Sequence, residues 1–356
     1  MHSMNRRTLI QAGILAADSA ALMKSQASSV NPRIKIGQIG VGHAHASKIT
    51  AYRDSSDFEV VGIVEPDPDL RKKAEYLAPF QGMKWMTRDD LLATPGIQAV
   101  LIETRVLDLL ENAEAGLHAG MHVHIDKPAG ASLPHLRRIF EIAARKRLVV
   151  QMGYMYRYNP AVVMLREFLK NGWLGDIFEV NAVMSKVVDP PDRLRLAESR
   201  GGMMFELGCH LIDLVVGMMG KPGNVTGFSR HSSRIDDSLA DNMLAVLEYP
   251  KATATIRSSA LEVDGFARRH LTVCGTGGTF HIQPLDAPTA RITLAQNCGK
   301  YQRGTHEISF PKYTRYVDDA ADMARAIRGE KPFEFGPEHD LAVQETLLRA
   351  CRMPLE

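Results

Sequence analysis

Residues 33–49, RIKIGQIGVGHAHASKI, decide the fold. Ile34, Ile36, Gln38 and Ile39 form a short, mostly apolar run that reads as a buried strand, and Gly40-Val41-Gly42 breaks it before a polar, helix-compatible segment. Strand, glycine turn and helix in that order open a dinucleotide-binding fold. The first glycine makes the turn, the second lets backbone approach a pyrophosphate, and the helix that follows directs its first amides at the phosphate charge. Gly40, Gly42, His43 and His45 are therefore candidate cofactor-binding residues, with His45 at the third glycine position of G-x-G-x-x-G. The same residues would also serve in a strand-to-helix turn that holds no ligand, so the reading needs support from elsewhere in the chain.

Working outward, residues 58–64, FEVVGIV, predict a second strand that ends at Glu65, where this fold places a carboxylate on the ribose hydroxyls. A 2′-phosphate would face that charge and Pro66 offers no cation, so Glu65 favours NAD over NADP. Further strands are expected at 99–103, 121–125 and 148–152, with helices at 109–119, ended by Gly120, and from Pro134 to Arg147. Strands separated by helices of this length predict a parallel, doubly wound sheet. The strand at 121–125 runs into Asp126-Lys127-Pro128. Open parallel sheets bind ligands beyond the C-terminal ends of their strands, so Lys127 stands at the crevice mouth, where an ammonium can polarise a substrate oxygen. A lysine in a surface turn is the plainer alternative.

A chain of 356 residues with 45% apolar composition is long enough for two packed domains. A net charge of +2 gives no electrostatic case for nucleic acid or a membrane surface, and no run outside the first thirty residues is long and apolar enough to span a bilayer. Cys209, Cys274, Cys298 and Cys351 lie far apart and form neither a metal cluster nor a disulfide framework. Residues 1–30 read as a targeting segment: Arg6-Arg7, an alanine-rich run over 9–23 and the small-x-small site Ser25-Gln26-Ala27 resemble a twin-arginine export signal. That predicts a periplasmic or secreted protein; a frayed N-terminal helix of a cytoplasmic enzyme is the alternative.

In order along the chain come the glycine turn, Glu65, AGMHVHIDKPAG (119–130), GYMYRYNPA (153–161), GGMMFELGCHLIDLVVGMMG (201–220) and FGPEHDLAVQETLLRA (335–350). This series resembles the Gfo/Idh/MocA oxidoreductase superfamily, whose usual signals are an E-K-P turn, a G-x-x-x-R-[FY]-x-P segment and a D-x-G-x-H-x-x-D helix. The resemblance implies an α/β protein: a Rossmann domain over 33–150, then an α+β domain over 151–356 whose open, mainly antiparallel sheet carries substrate and often subunit contacts. It also implies that Thr104 and Pro128 join the cofactor contacts.

Within 201–220, Glu206, His210 and Asp213 fall at i, i+4 and i+7, which on a regular helix puts all three on one face. A carboxylate beside a histidine orients the imidazole, and an imidazole titrating near working pH is a good base for a hydroxyl proton. The resemblance makes His210 the acid/base, Lys127 its oxygen-polarising partner and Glu206 the residue that orients them, with Asp213 lining or bracing the site. A purely structural Glu206–His210 pair is the alternative. Arg157 and Tyr158 are placed to position substrate, and Tyr154 and Tyr156 to pack on a sugar ring. Four positions depart from the family pattern: Glu206 replaces the usual aspartate, Asp126 the usual glutamate, Leu109 a histidine, and Thr104-Arg105 a Thr-Pro turn.

Beyond 175 the pattern becomes strands joined by short turns, expected at 177–183, 238–249, 252–261, 270–274, 279–282 and 291–294, with closing helices at 316–329 and 339–352. An open sheet with one apolar face needs a cover, which predicts helices or a second subunit and hence a homo-oligomer, a dimer or tetramer. The combined reading is an NAD-dependent oxidoreductase acting on a secondary hydroxyl of a sugar, polyol or glycoside. A redox-neutral NAD-dependent glycosidase or lyase that retains its cofactor is one alternative, and a non-catalytic sugar-binding or sensor protein is the other. The loops at 184–200 and 262–269, which would choose among sugars, carry no readable code.

Overall fold

The computed structural model describes residues 31–356, so the expected export segment lies outside the described residues. Six strands, β1 (Ile34–Ile39), β2 (Phe58–Val64), β3 (Trp85–Met86), β4 (Ile97–Ile102), β5 (His122–Ile125) and β6 (Val150–Met152), form an all-parallel sheet in the order β3-β2-β1-β4-β5-β6. Helices cover both faces, which is why β1 and β4 are apolar almost throughout rather than alternating. The Leu109–His118 helix buries Leu109, Leu110, Ala113, Gly116 and Leu117, the three-and-four spacing of one face. The Leu133–Lys146 helix does the same with Leu133, Leu136, Ile139, Phe140 and Ala143, and Ser132 caps it by accepting from the His135 N–H. The chain runs outward from β1 to β3, then crosses back to β4. The strand order therefore reverses between β1 and β4, and a ligand crevice opens beyond their C-terminal ends.

The second sheet has eight strands: β7 (Ile177–Val183), β8 (Asn224–Arg230), β9 (Asn242–Tyr249), β10 (Ala252–Ser259), β11 (His270–Gly275), β12 (Gly278–Ile282), β13 (Thr289–Leu294) and β14 (Gly304–Ser309). They lie in the order β14-β13-β12-β11-β7-β10-β9-β8, antiparallel except for the β7–β10 pair. In β10, Ala252, Ala254, Ile256 and Ser258 are buried while Thr253 and Arg257 are exposed. The Cys209–Met219 helix packs on β7 and β10, and the Pro337–Ala350 helix packs on β8 and β9. The apolar face is thus covered by helices of the same chain, and the physical reason given above for a second subunit is met internally. The expected strand at 238–249 begins only at Asn242; the residues before it form a loop whose Asp237 and Asp241 hold the buried Arg193 at 2.6 and 2.9 Å.

The Val317–Ile327 helix returns to the first sheet, packing Ala320, Met323 and Ala324 against Ile34, Ile36, Tyr52 and Phe58. It buries Asp319, whose Oδ2 has no hydrogen-bond partner among the described residues, and burial pushes that carboxyl up to about 7 despite the nearby Lys48 ammonium. An acid raised in the folded state ionises first in the unfolded chain. Its contribution is therefore full below the ordinary value of 3.8 and is lost as pH rises toward about 7. Asp319→Asn should remove this loss and gain on the order of 4 kcal/mol over wild type at neutral pH, as read by denaturant unfolding at several pH values. Parallel pH profiles of the two proteins would contradict it.

Candidate active site

The glycine turn is built as the sequence requires. Gly40 has φ +93, and a Cβ there would come 2.5 Å from the Thr104 nitrogen. Glu65, at the end of β2, accepts from the Val41 N–H at 2.9 Å and the Asp67 N–H at 3.0 Å, which leaves lone pairs on its carboxylate for further donors. A cavity of about 800 Å³ lies between the ends of β1, β2 and β4, lined by Gly42, Glu65, Arg71, Trp85, Thr104 and Arg105 among others. Its volume, its position at the strand-order reversal and the side-chain-free approach over Gly42 fit the adenosine half of a dinucleotide. His43 and His45 do not turn their side chains toward it.

Those two histidines face inward, onto Asp126. His43 places Nδ1 3.0 Å from Asp126 Oδ2 and donates Nε2–H to the Lys127 carbonyl at 3.0 Å, while His45 Nδ1 lies 3.2 Å from Asp126 Oδ1. Lys48 Nζ lies 2.8 Å from Asp126 Oδ2 and 3.1 Å from Glu103 Oε1, with all three side chains fully buried. Burial, with Asp126 beside it, raises the Glu103 carboxyl well above its ordinary range. Burial also opposes ionisation of Asp126, but His43, Lys48 and His45 outweigh it and hold that carboxylate well below. The Lys48 ammonium is raised in turn: burial works against it, Asp126 and Glu103 overcome it.

Lys48 also donates to His124 Nε2 at 2.9 Å. His124 Nδ1–H donates to Gln151 Oε1 at 2.8 Å, and Gln151 donates to the Asp319 carbonyl at 2.9 Å, which fixes the tautomer. The ring of Tyr316 lies 5.1 Å from Lys48 Nζ. Sequence reasoning passed over Lys48, Glu103, His124 and Gln151; the available signal was polar residues at otherwise buried positions of strands and helix. His43, His45 and Asp126 have ligand atoms within 4.8 Å of one another, but the Lys48 ammonium already meets the charge that would attract an ion.

Lys127 follows Asp126 directly. Its N–H donates to Asp126 Oδ1 at 2.6 Å, and its buried side chain points toward the second domain, donating to the Glu206 carbonyl at 2.9 Å with Glu206 Oε1 3.7 Å away. Burial alone would lower its pKa; Glu206 foremost among its neighbours reverses this and holds the ammonium above its ordinary value. Burial likewise opposes ionisation of Glu206, yet Lys127, His43 and His45 bring its carboxylate down to about 2. Pro128 is buried behind the lysine.

Met204–Gly208 is a turn of π-helix that leads into the Cys209–Met219 α-helix, and among the described residues no hydrogen bond joins Glu206 to His210. Glu206 meets Lys127. His210 instead packs edge-on against Tyr154 and Tyr156, with ring centroids 6.1 and 5.6 Å away, and against His45 at 5.9 Å. Its Nδ1 has no hydrogen-bond partner among the described residues, so aromatic packing, not a carboxylate, orients the ring. Burial first and Lys127 next depress its pKa well below the ordinary value, so it does not titrate near working pH as the sequence reading expected.

Asp213 braces Arg157, at 2.7 Å, with His339 at 3.0 Å, while Asp340 takes the other side of the guanidinium at 2.5 Å. Arg157 is thus a buried structural cation and not a substrate contact. Tyr158 donates to Asp322 at 2.6 Å, far from that role too. Tyr154 and Tyr156 are buried, and Tyr156 donates to Asp286 at 2.9 Å, so their rings wall in His210 and have no free face for a sugar.

Residues 34–154 match the oxidoreductase family with an NAD-binding Rossmann fold, and residues 162–281 match the GFO/IDH/MocA C-terminal domain. Myo-inositol 2-dehydrogenase of Thermotoga maritima is 23% identical over 324 residues, covering 87% of this chain and 93% of the relative. The uncharacterized oxidoreductase YhhX of Escherichia coli is 25% identical, covering 76% of this chain and 78% of the relative. Two solved structures share the fold: GenD2 from gentamicin A biosynthesis in complex with NAD, with a TM-score of 0.76 at 22% identity over 91% of this chain and 95% of that one, and the WlbA dehydrogenase from Bordetella pertussis in complex with NADH and UDP-GlcNAcA, with a TM-score of 0.73 at 19% identity over 91% and 99%. The two family models match segments that carry both sheets, and the chain belongs to the Gfo/Idh/MocA family of NAD-binding oxidoreductases.

Proposed function

We propose that this oxidoreductase moves a hydride between NAD and a secondary hydroxyl carbon of a sugar, polyol or glycoside. The observation that carries the reading is the meeting, beyond the ends of the parallel strands, of a buried ammonium on Lys127 with Glu206 and a neutral, unpartnered imidazole on His210 nearby. Cyclic alcohols are the substrates named for two relatives, myo-inositol 2-dehydrogenase and the trans-1,2-dihydrobenzene-1,2-diol dehydrogenase of Mus musculus, which is 25% identical over 67% of this chain.

When bound, the nicotinamide supplies the hydride acceptor for oxidation or donor for reduction. The rest falls to the chain. Lys127 spends one hydrogen on the Glu206 carbonyl, and an ammonium has three, so it retains donors for the substrate oxygen and stabilises negative charge that builds there. As the carbinol C–H bond breaks, the hydroxyl proton passes to an unprotonated nitrogen of the His210 imidazole, and the carbonyl forms. The depressed pKa keeps that nitrogen unprotonated in advance of the step.

Lys127→Met and His210→Asn should each lower kcat by roughly 10²- to 10⁴-fold, in NAD reduction with cyclic polyols and glycosides. NADH affinity of His210→Asn, followed by nicotinamide fluorescence, should stay near wild type. Turnover that survives both substitutions would assign the pair a structural role. A second check concerns the imidazole itself. Because its pKa lies well below 6.5, the ring resonances of His210, identified by their loss in His210→Asn, should not shift between about pH 8 and about pH 5.5. A titration centred near 6.5 would overturn the assignment of an always-ready base.

A further inference from the structure

We propose that Arg105 holds the cofactor's diphosphate, adding a cation to the few amides that the glycine turn leaves free; the proposal rests on NAD lying along the crevice described above. The glycine turn has few donors left. The Val41 N–H goes to Glu65, the His43 N–H to the Glu103 carbonyl at 3.0 Å, the His45 N–H to His43 Nδ1 at 3.2 Å and the Ala46 N–H to the His43 carbonyl at 3.1 Å. Regular α-helix begins only at Ile49 and lasts six residues, so the helix terminus that ordinarily meets the phosphates starts too late. Among the described residues the Gly42 and Ala44 N–H groups remain without an acceptor, and two phosphate charges call for a cation beside these neutral donors.

Gly42 and Arg105 line both the large cavity and a second, smaller one that continues past His43 toward Phe205 and Glu206. The large cavity takes the adenosine half, the smaller one reaches Glu206, and the residues common to both mark the middle of a dinucleotide, which is its diphosphate. Arg105 Cγ lies 3.7 Å from the point a Cβ on Gly42 would occupy. Its side chain is 63% exposed and its ion pair is with Asp108, at 3.1 Å and likewise exposed. Such a pair is weak and readily exchanged, and a guanidinium suits two phosphate oxygens. Arg71 and Arg88 line only the large cavity and Arg195 only the smaller one, so Arg105 is the arginine that stands where the two meet. The substitution of arginine for the usual proline after Thr104 thus gains a purpose.

The test is binding to the intact chain, with ADP-ribose by calorimetry and adenosine by ligand-observed NMR. Arg105→Ala should weaken ADP-ribose roughly tenfold or more at low salt and leave adenosine unchanged, Arg105→Lys should recover part of the loss, and Asp108→Asn should tighten ADP-ribose by about twofold. Unchanged ADP-ribose affinity in Arg105→Ala, or an equal loss for adenosine, overturns the assignment while leaving the crevice intact. Failure of the wild-type chain to bind ADP-ribose or NAD would overturn the crevice itself and the proposal with it.

Discussion

A single buried carboxylate, Asp126, organises this molecule. Parallel pairing puts Ile102 opposite Ile125, so the residues that follow, Glu103 and Asp126, bring two carboxyls together at the ends of β4 and β5. Two such charges without compensation would be strongly unfavourable, and removing one partner of a buried ion pair typically destabilises by about 3–5 kcal/mol. Here the Lys48 ammonium lies between the two, 2.8 Å from Asp126 and 3.1 Å from Glu103, and burial beside Asp126 raises the Glu103 carboxyl above its ordinary range. The consequence for chemistry is positional. Asp126 accepts the Lys127 N–H while His43 donates to the Lys127 carbonyl, so the backbone of Lys127 is held from both sides.

The side chain of Lys127 meets an irregularity in the second domain. The π-helical turn at Met204–Gly208 turns the Glu206 carbonyl to Lys127, which donates to it, as does the Cys209 thiol at 3.4 Å. Glu206 serves the ammonium, while His210 lies among aromatic rings. Glu206 foremost holds the Lys127 ammonium above its ordinary pKa, while burial depresses that of His210, and each depends on surroundings that would be wrong for the other.

The fold was legible because apolar runs and glycines report directly on backbone. The strands of the first sheet were placed to within a residue or two, apart from two-residue β3. In the second sheet β8 and β14 were missed because both are edge strands with no buried residue in them, so no apolar alternation marks them. At the site, Lys127, Glu206 and His210 could be named from motif order, but their orientations could not. The spacing argument assumed 3.6 residues per turn, and nothing in MFELG announces a π-turn. Arg157 and the tyrosines were legible as important but misread in role, since a chain does not reveal that Asp213 and Asp340 come together around a guanidinium. Lys48 was invisible for the same reason: its partners lie more than fifty residues away.

The proposed chemistry rests on the Lys127 ammonium, the His210 imidazole and the nucleotide crevice alongside. The most direct measurement is transfer of the carbon-bound hydrogen itself. Cyclic polyols and glycosides deuterated at their secondary carbinol carbons would be incubated with the protein and NAD, and the nucleotide examined by mass spectrometry and NMR. The account predicts deuterium at nicotinamide C4 from one ring carbon, with a ketone formed at that carbon. Nucleotide that binds in the crevice yet gains no label from any member of the set would contradict it.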